Sequence, residues 1–183
     1  MKKIILVIVA MAVAAAAFPQ NINQTTSNHL ELDLNGVKIG TKLLKSEVIK
    51  KFGKPDKYQK YTGLFENDED FMEEYSYPDL KLYFLSSAGL TGFLLKTDSI
   101  PFCTFDVEGG IRIGDDIDKL KQLNPYDWKE SSINVQKEME KYSGIKGGTW
   151  YHFHLNEKDE TNSCIVLVKN GKIAALDYTM IVY

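Results

Sequence analysis

Two histidines separated by a single residue are the side chains in this sequence best suited to acid–base or metal chemistry. His152 and His154 have the spacing of alternate residues on a β-strand, so both imidazoles point to one face. Neutral imidazole binds zinc, and the pair therefore predicts, as one alternative, a hydrolase or metal-dependent enzyme. A third ligand is missing from the neighbouring sequence, because His29 lies far away in a polar leader.

The same segment also predicts a binding surface. Trp150 shares a face with His152 and His154, whereas Tyr151 and Phe153 point to the opposite face. If the purely apolar face is buried, the other three side chains form an aromatic and imidazole ridge on the open side of the sheet. Tryptophan is common among interface hot spots, so we predict a protein-binding site with no catalytic residue, metal or cofactor.

Two acidic clusters have simpler interpretations than catalysis. The run Glu66–Asp70 offers oxygen ligands for calcium, but it lacks the glycine and the spacing of an EF-hand loop, and it predicts a solvated loop. Asp115, Asp116 and Asp118 stand at the start of a helical pattern, where carboxylates cap the helix and favour its dipole. The sequence contains no nucleophile elbow, zinc-protease helix or phosphate-binding loop.

The two cysteines, Cys103 and Cys164, leave two interpretations open. In an exported chain they predict a disulfide, which would close a loop long enough to stabilise the fold by roughly 4 kcal/mol in the chain-entropy model. Alternatively they are buried thiols, since Cys164 lies in an apolar strand where cysteine packs well. No local pattern lowers the pKa of either thiol enough to predict a catalytic cysteine.

The composition argues against nucleic acid as a partner. Lysine and arginine number 22 and aspartate and glutamate 25, which gives a formal net charge of −3 at pH 7. The chain has a single arginine, Arg112, and its lysines are scattered, unlike the basic stripe of a nucleic-acid-binding protein.

The first residues predict export. Two lysines precede an apolar stretch over residues 4–13, and a run of alanines follows it, which is the order of a secretory signal peptide. We expect that signal over residues 1–17 and a flexible polar leader over 18–31. The apolar stretch is shorter than the roughly 20 residues of a transmembrane helix, and no cysteine follows the cleavage site to carry a lipid. The expected location is periplasmic or secreted, without a stable membrane anchor.

A short segment occurs twice in the chain. Asn35–Gly40 reads Asn-Gly-Val-Lys-Ile-Gly and returns at Gly109–Gly114 as Gly-Gly-Ile-Arg-Ile-Gly. Each copy precedes a helical pattern and several strand-like runs, which predicts a duplicated unit. We expect an α+β fold of two tandem helix-plus-antiparallel-strand units, over residues 32–102 and 103–183. The two units would share one sheet, with the helices on one face and the other face open.

Local signals place one helix in each unit. Ser46 can cap the first helix, which Gly53 and Pro55 end, and the second helix is predicted from Asp115 to Leu123. Asn170-Gly171 predicts a two-residue hairpin turn. Strands are predicted over residues 71–77, 80–85, 92–97, 128–135, 149–155, 163–168 and 173–183.

The segment Lys45–Pro55 carries a resemblance to a known family. Its sequence, KSEVIKKFGKP, resembles the helix-to-Gly-x-Pro signature of the small outer-membrane assembly lipoprotein group, and its doubling resembles the beta-lactamase-inhibitor-protein-like fold. The second unit has Leu123-Asn124-Pro125 in place of that signature. The resemblance implies a two-repeat sheet whose concave face holds partner proteins, and it implies no catalysis.

These observations predict a non-enzymatic protein-interaction module that binds an unidentified envelope or secreted protein through an open sheet face. Two alternatives stay open: an enzyme using His152 and His154, and a structural component of envelope assembly. A deep pocket with a carboxylate beside the histidines would favour the enzyme, whereas a broad exposed surface would favour binding.

Overall fold

The computed structural model describes residues 32–63, 69–104, 110–123, 125–155 and 162–180. Strands predominate in these residues, and the helices between them are short. In chain order the elements are β1 (Leu32–Leu34), β2 (Val37–Lys38), α1 (Lys45–Phe52), β3 (Lys57–Thr62), β4 (Phe71–Ser76), β5 (Leu80–Leu85), β6 (Gly89–Leu95), β7 (Phe102–Thr104), α2 (Ile117–Lys121), β8 (Tyr126–Glu130), α3 (Ile133–Ser143), β9 (Thr149–His154), β10 (Asn162–Lys169) and β11 (Lys172–Met180).

Eight strands form one antiparallel sheet, in the order β3-β4-β5-β6-β11-β10-β9-β8. Its two halves meet between β6 and β11, where Leu94 lies opposite Asp177. A smaller antiparallel sheet has the order β2-β1-β7. The predicted hairpin turn is confirmed, since Asn170 and Gly171 both adopt positive φ between β10 and β11.

One face of the large sheet forms the main hydrophobic core. Tyr75 and Phe93 from this face are fully buried. They belong to one cluster with Leu34 of the small sheet, Val48 of α1 and Leu120 of α2, so these three elements cover the face. Alternate strand residues point to one face, which explains why the core residues recur at every second position of the central strands.

Helix α3 packs on the opposite face. Met139 lies against Trp150 of β9, Leu167 of β10 and Ala175 of β11, and all four side chains are buried. We call these four residues the Trp150 cluster. Because α3 follows the edge strand β8 and its penultimate residue Tyr142 reaches Tyr83 of β5, the helix crosses several strands of the sheet.

The ends of the helices are set by specific side chains. Helix α1 begins after Leu44, whose backbone N–H donates to the Glu47 carboxylate at 2.6 Å, so the prediction of Ser46 as its cap is wrong by two residues. Asp116 caps α2 by accepting a hydrogen bond from the backbone N–H of Asp118, as predicted. Ser132 caps α3 at the N–H of Val135.

The predicted fold class, α+β with two tandem helix-plus-strand units, is wrong. The described residues form mostly strands, and the helices have only 8, 5 and 11 residues. Helices this short bury few apolar side chains. In the described part of the chain, the main cluster contains residues of both halves, so the two predicted units share this core. The helices also lie on both faces, because α3 packs opposite α1 and α2.

The strand prediction needs correction at two places. The run 128–135 was predicted as one strand, but the strand ends at Glu130 and α3 begins at Ile133. Strand β3 was not predicted, because its sequence KYQKYT is polar and belongs to a sheet edge. The predicted boundary at residue 102 falls inside β7, which pairs with β1.

Candidate functional site

The face of the large sheet that α3 covers only in part carries two neighbouring rows of side chains. Directly paired residues on adjacent strands point to the same face, so the register defines each row. The first row contains Gln59, Glu74, Tyr83, Gly92, Thr179 and Ser163. The second contains Lys57, Ser76, Lys81, Leu94, Asp177, Ile165, His152 and Lys129. We call the two rows, with Tyr61 and His154 beside them, the open face.

A glycine gives the first row its shape. Gly92 has no side chain, and the Tyr83 ring lies beside it, with Cδ2 only 3.6 Å from the place where a β-carbon would stand. A larger residue at this position would also meet the Tyr178 carbonyl oxygen at 2.9 Å. The glycine therefore lets the Tyr83 ring lie close to the sheet at the middle of the open face.

On the β3–β4 side, hydroxyl groups hold the Glu74 carboxylate. Tyr61 donates a hydrogen bond to one of its oxygens at 2.8 Å, and Ser76 donates to the other at 2.8 Å. Burial, together with the hydrogen bond to Glu74 and the charge of that carboxylate, raises the pKa of Tyr61 to about 12. The phenol therefore stays protonated at physiological pH and keeps its ring fixed on the half-exposed surface.

At the centre, two tyrosines adjoin a buried acid. The hydroxyl oxygens of Tyr83 and Tyr142 lie 2.7 Å apart, and burial raises the pKa of both phenols. Asp177 is 8% exposed. Burial raises its pKa to about 7, while hydrogen bonds from Tyr142 and Thr179 and the charge of Lys81 oppose that rise. At neutral pH this carboxyl group is thus divided between its acid and its ionised form.

The two predicted histidines do lie side by side on the open face. Their ring centroids are 4.6 Å apart in an edge-to-face arrangement, and both residues are half-buried. His152 Nε2 lies 3.0 Å from Ser163 Oγ, and His154 Nδ1 lies 2.9 Å from the Asn162 carbonyl oxygen. Burial, together with the charges of His154 and Lys129, lowers the pKa of His152 to about 4.

The contact between Ser163 and His152 resembles the nucleophile–base pair of a hydrolase, but it supplies only two of the three groups of such a site. A catalytic histidine of this kind needs an acidic group on its second nitrogen. His152 Nδ1 is buried without a hydrogen-bond partner in the part of the chain that the structure describes. Among the described residues, no group of three or more histidine, cysteine or acidic side chains is placed so that it could hold a metal ion.

Trp150 does not form part of an exposed ridge, contrary to the expectation from sequence. The predicted burial of the opposite side of β9 is correct, since Phe153 is fully buried. Trp150 is nevertheless only 1% exposed, because α3 covers it on the other face. Its indole Nε1 is buried and has no hydrogen-bond partner within the described ranges. Of the three predicted binding residues, the two histidines alone reach the surface.

Other sequence predictions concern residues that the structure describes only in part or not at all. Cys164 is fully buried in β10, whereas the side chain of Cys103 lies outside the described residues, so the disulfide stays a prediction. The signal peptide over 1–17, the leader over 18–31 and much of the acidic run Glu66–Asp70 also lie outside them.

Sequence reasoning missed the three residues at the centre of the open face. Asp177 could have been found as the one charged residue in the otherwise apolar run Ile173–Tyr178. Tyr142 could have been found from the helical spacing of Val135 and Met139, once Ser132 is taken as a helix cap. Tyr83 gives no such signal, because tyrosine is a common strand residue.

Within the described residues, no helix is long and apolar enough to cross a membrane. No family model, curated protein or solved structure matches this chain. The resemblance of Lys45–Pro55 to the outer-membrane assembly lipoprotein group therefore stays a prediction from sequence.

Proposed function

We propose that this chain is an exported, non-enzymatic protein that binds an acidic protein partner through the open face. The observation that carries the proposal is the unequal covering of the large sheet. Two helices and the small sheet bury one face, whereas α3 covers only part of the other. The uncovered part presents half-buried tyrosine and histidine side chains across the width of the sheet, together with the half-buried Lys81 and the exposed Lys57 and Lys129.

The aromatic side chains on this face suit protein recognition. Tyrosine offers a large, rigid contact surface and is enriched among residues that dominate binding energy. Tyr61 is held by Glu74, and Tyr83 by Tyr142, so both rings are already ordered before a partner arrives. Less conformational entropy is lost on binding when the contact residues are ordered in advance.

The charges on this face favour an acidic partner. Its two carboxylates are engaged within the protein, Glu74 by two hydroxyl groups and Asp177 by burial and two hydrogen bonds. Among the described residues, no acidic side chain lies within ion-pair distance of Lys57, Lys81 or Lys129. A negatively charged surface would therefore be attracted to the open face even though the whole chain has a net charge of −3.

Export supports the class of partner. The basic start, the apolar stretch over residues 4–13 and the alanines after it have the order of a secretory signal. The partner would accordingly be another secreted or envelope protein.

A charge-reversal comparison tests the proposal. The full mature chain is immobilised and exposed to the secreted and envelope proteins of the source organism at low and at high salt. We expect one acidic protein to be retained at low salt, released by salt, and lost from the double variant Lys57→Glu, Lys81→Glu.

The matched control is Lys50→Glu, Lys54→Glu, which makes the same charge change at exposed positions in and after α1, on the side of the opposite face. Retention should survive in this control. Equal loss in both double variants, or equal retention, would show that binding does not use the open face. For the captured protein, Tyr61→Ala should weaken binding by more than about 1 kcal/mol, or roughly fivefold in Kd, by calorimetry.

A further inference from the structure

A buried carboxyl group lies beneath the last turn of α3. Asp177 is flanked on the neighbouring strands by Leu94 and Ile165, which offer it no hydrogen bond, and it is 8% exposed. An ionised carboxylate loses most of its hydration in such a place, and this loss costs several kcal/mol unless other groups replace the water.

The groups that face Asp177 come from four elements. Tyr142 of α3 and Thr179 of β11 are the polar groups beside it, and Lys81 of β5 is the nearby positive charge. Tyr83 of β5 lies against Tyr142, and the negative charge of Glu74 of β4 acts on both phenols. Lys96, directly after β6, lies at the same end of α3, so two lysines and two carboxyl groups share this region, and ionisation of Asp177 removes its excess of positive charge.

The end of α3 is attached to the sheet through polar contacts. Tyr142 meets Tyr83 at 2.7 Å, and the Lys81 ammonium lies 4.7 Å from the centre of the Tyr142 ring. Lys96 donates to the Ser143 carbonyl oxygen at 3.5 Å, near the limit of a hydrogen bond. Tyr142 is 37% exposed overall although its hydroxyl group points inward.

We propose that α3 is a flap that opens from the sheet when the Asp177 carboxyl group ionises, and that opening exposes the Trp150 cluster. This inference does not depend on the proposed partner. Opening hydrates the carboxylate and uncovers the four apolar side chains that α3 now buries. Because Gly144 ends the helix in the left-handed conformation and no helical hydrogen bond extends beyond it, α3 can separate from the sheet as a unit.

Hydrogen exchange tests the flap directly. When α3 is closed, the pKa of the Asp177 carboxyl group is about 7, and when α3 is open and the group is hydrated, its pKa should be close to the ordinary value. Proton linkage therefore predicts that the equilibrium constant for opening of α3 rises about tenfold per pH unit from pH 5 to 7 and then levels off. Protection factors of amides in α3 should fall by that factor and should stay well below those of β5 and β10, which exchange only through unfolding of the whole domain. The variant Asp177→Asn should show no such pH dependence in α3.

Two results would overturn the proposal. The first is α3 protection that does not change with pH, which would mean that Lys81 neutralises the ionised carboxylate with the flap closed. The second is equal protection in α3 and the central strands at every pH, which would indicate that α3 exchanges only by unfolding of the whole domain. As a second measurement, acrylamide quenching of Trp150 in a Trp128→Phe background should increase over the same pH range, and Asp177→Asn should abolish that increase.

A further variant separates charge from anchoring. Tyr83→Phe removes the hydroxyl contact with Tyr142 but leaves Asp177 in place. We expect α3 to be less protected at every pH while the tenfold change per pH unit is kept. Loss of the pH dependence in this variant would also contradict the proposal, because it would assign that dependence to the tyrosine pair.

Discussion

The hydroxyl groups of Tyr83 and Tyr142 lie 2.7 Å apart and join β5 to the last turn of α3. These residues are far apart in sequence. Their contact lies at the boundary between the open face and the part of the sheet that α3 covers. It also places one tyrosine directly over Asp177. Several measurable properties of the protein follow from this arrangement and from the packing around it.

The free energy of unfolding should decrease as pH rises through the acid range because of Asp177. Burial raises the pKa of this carboxyl group from 3.8 to about 7. Between those values the native protein holds a proton that the unfolded chain releases, so stability falls with rising pH and is constant above about pH 7. Between pH 4 and 8, the free energy of unfolding of the wild-type protein should decrease by up to about 4 kcal/mol more than that of Asp177→Asn. Urea denaturation of both proteins at several pH values measures this, and parallel curves would contradict it.

His152 should act with the opposite sign. Burial lowers its pKa from 6.5 to about 4, and the charges of His154 and Lys129 add to this effect, while Asp127 opposes it. The unfolded chain therefore binds a proton that the native protein does not, and stability falls as pH decreases from 6.5 towards 4. His152→Gln should reduce that loss. Titration of the His152 ring by NMR should give a midpoint near 4; a midpoint near the ordinary value would show that the ring is more hydrated than its position indicates.

Trp150 should be required for stability. It is 1% exposed and packs against Met139 of α3. Trp150→Ala should cost about 3–5 kcal/mol, because the change removes a large buried side chain and leaves a cavity under the helix. Trp128 is only half-buried against Tyr151, so Trp128→Ala should cost less. Urea denaturation compares the two, and an equal or smaller loss for Trp150→Ala would contradict the packing described for α3.

Gly89 should tolerate no side chain. It has a φ of +78°, and a β-carbon would lie 2.5 Å from both the carbonyl carbon and the oxygen of Thr41. Gly89→Ala should therefore cost more than about 2 kcal/mol, since backbone strain and a backbone clash act together. Gly147 is the matched control, because its φ is +72° but nothing lies within 4 Å of a β-carbon. Thermal melts should show a clearly smaller loss for Gly147→Ala.

Much of the strand pattern could be predicted from sequence because central strands carry strong local signals. The apolar run Leu80–Leu85 and the Asn170-Gly171 turn each specify their structure with few residues. The edge strand β3 lacks such a signal, since a strand with a partner on one side alternates only weakly between apolar and polar residues. Helix α3 was missed because Ile133 and Val135 in its first turn are β-branched and favour strands, although Ser132 before them caps the helix.

The candidate site was less predictable than the strands. The spacing of His152 and His154 correctly placed both on one face. Trp150 shares that spacing but is buried, because the covering of a sheet face depends on where a distant helix packs. The meeting of Asp177 with Tyr142 depends on the same packing, and no local pattern contains it.

The register shift in β8 has a consequence for how this protein behaves at high concentration. An open sheet has two outer strands with unpaired backbone groups, which are templates for aggregation. On one outer strand, pairing shifts between Tyr126 and Lys129, and Asp127 adopts a positive φ, so the backbone there is not straight. On the other, Lys57 and Lys60 place exposed positive charges along β3. Both edges thus oppose the addition of another strand, and the sheet is protected against growth into a fibril.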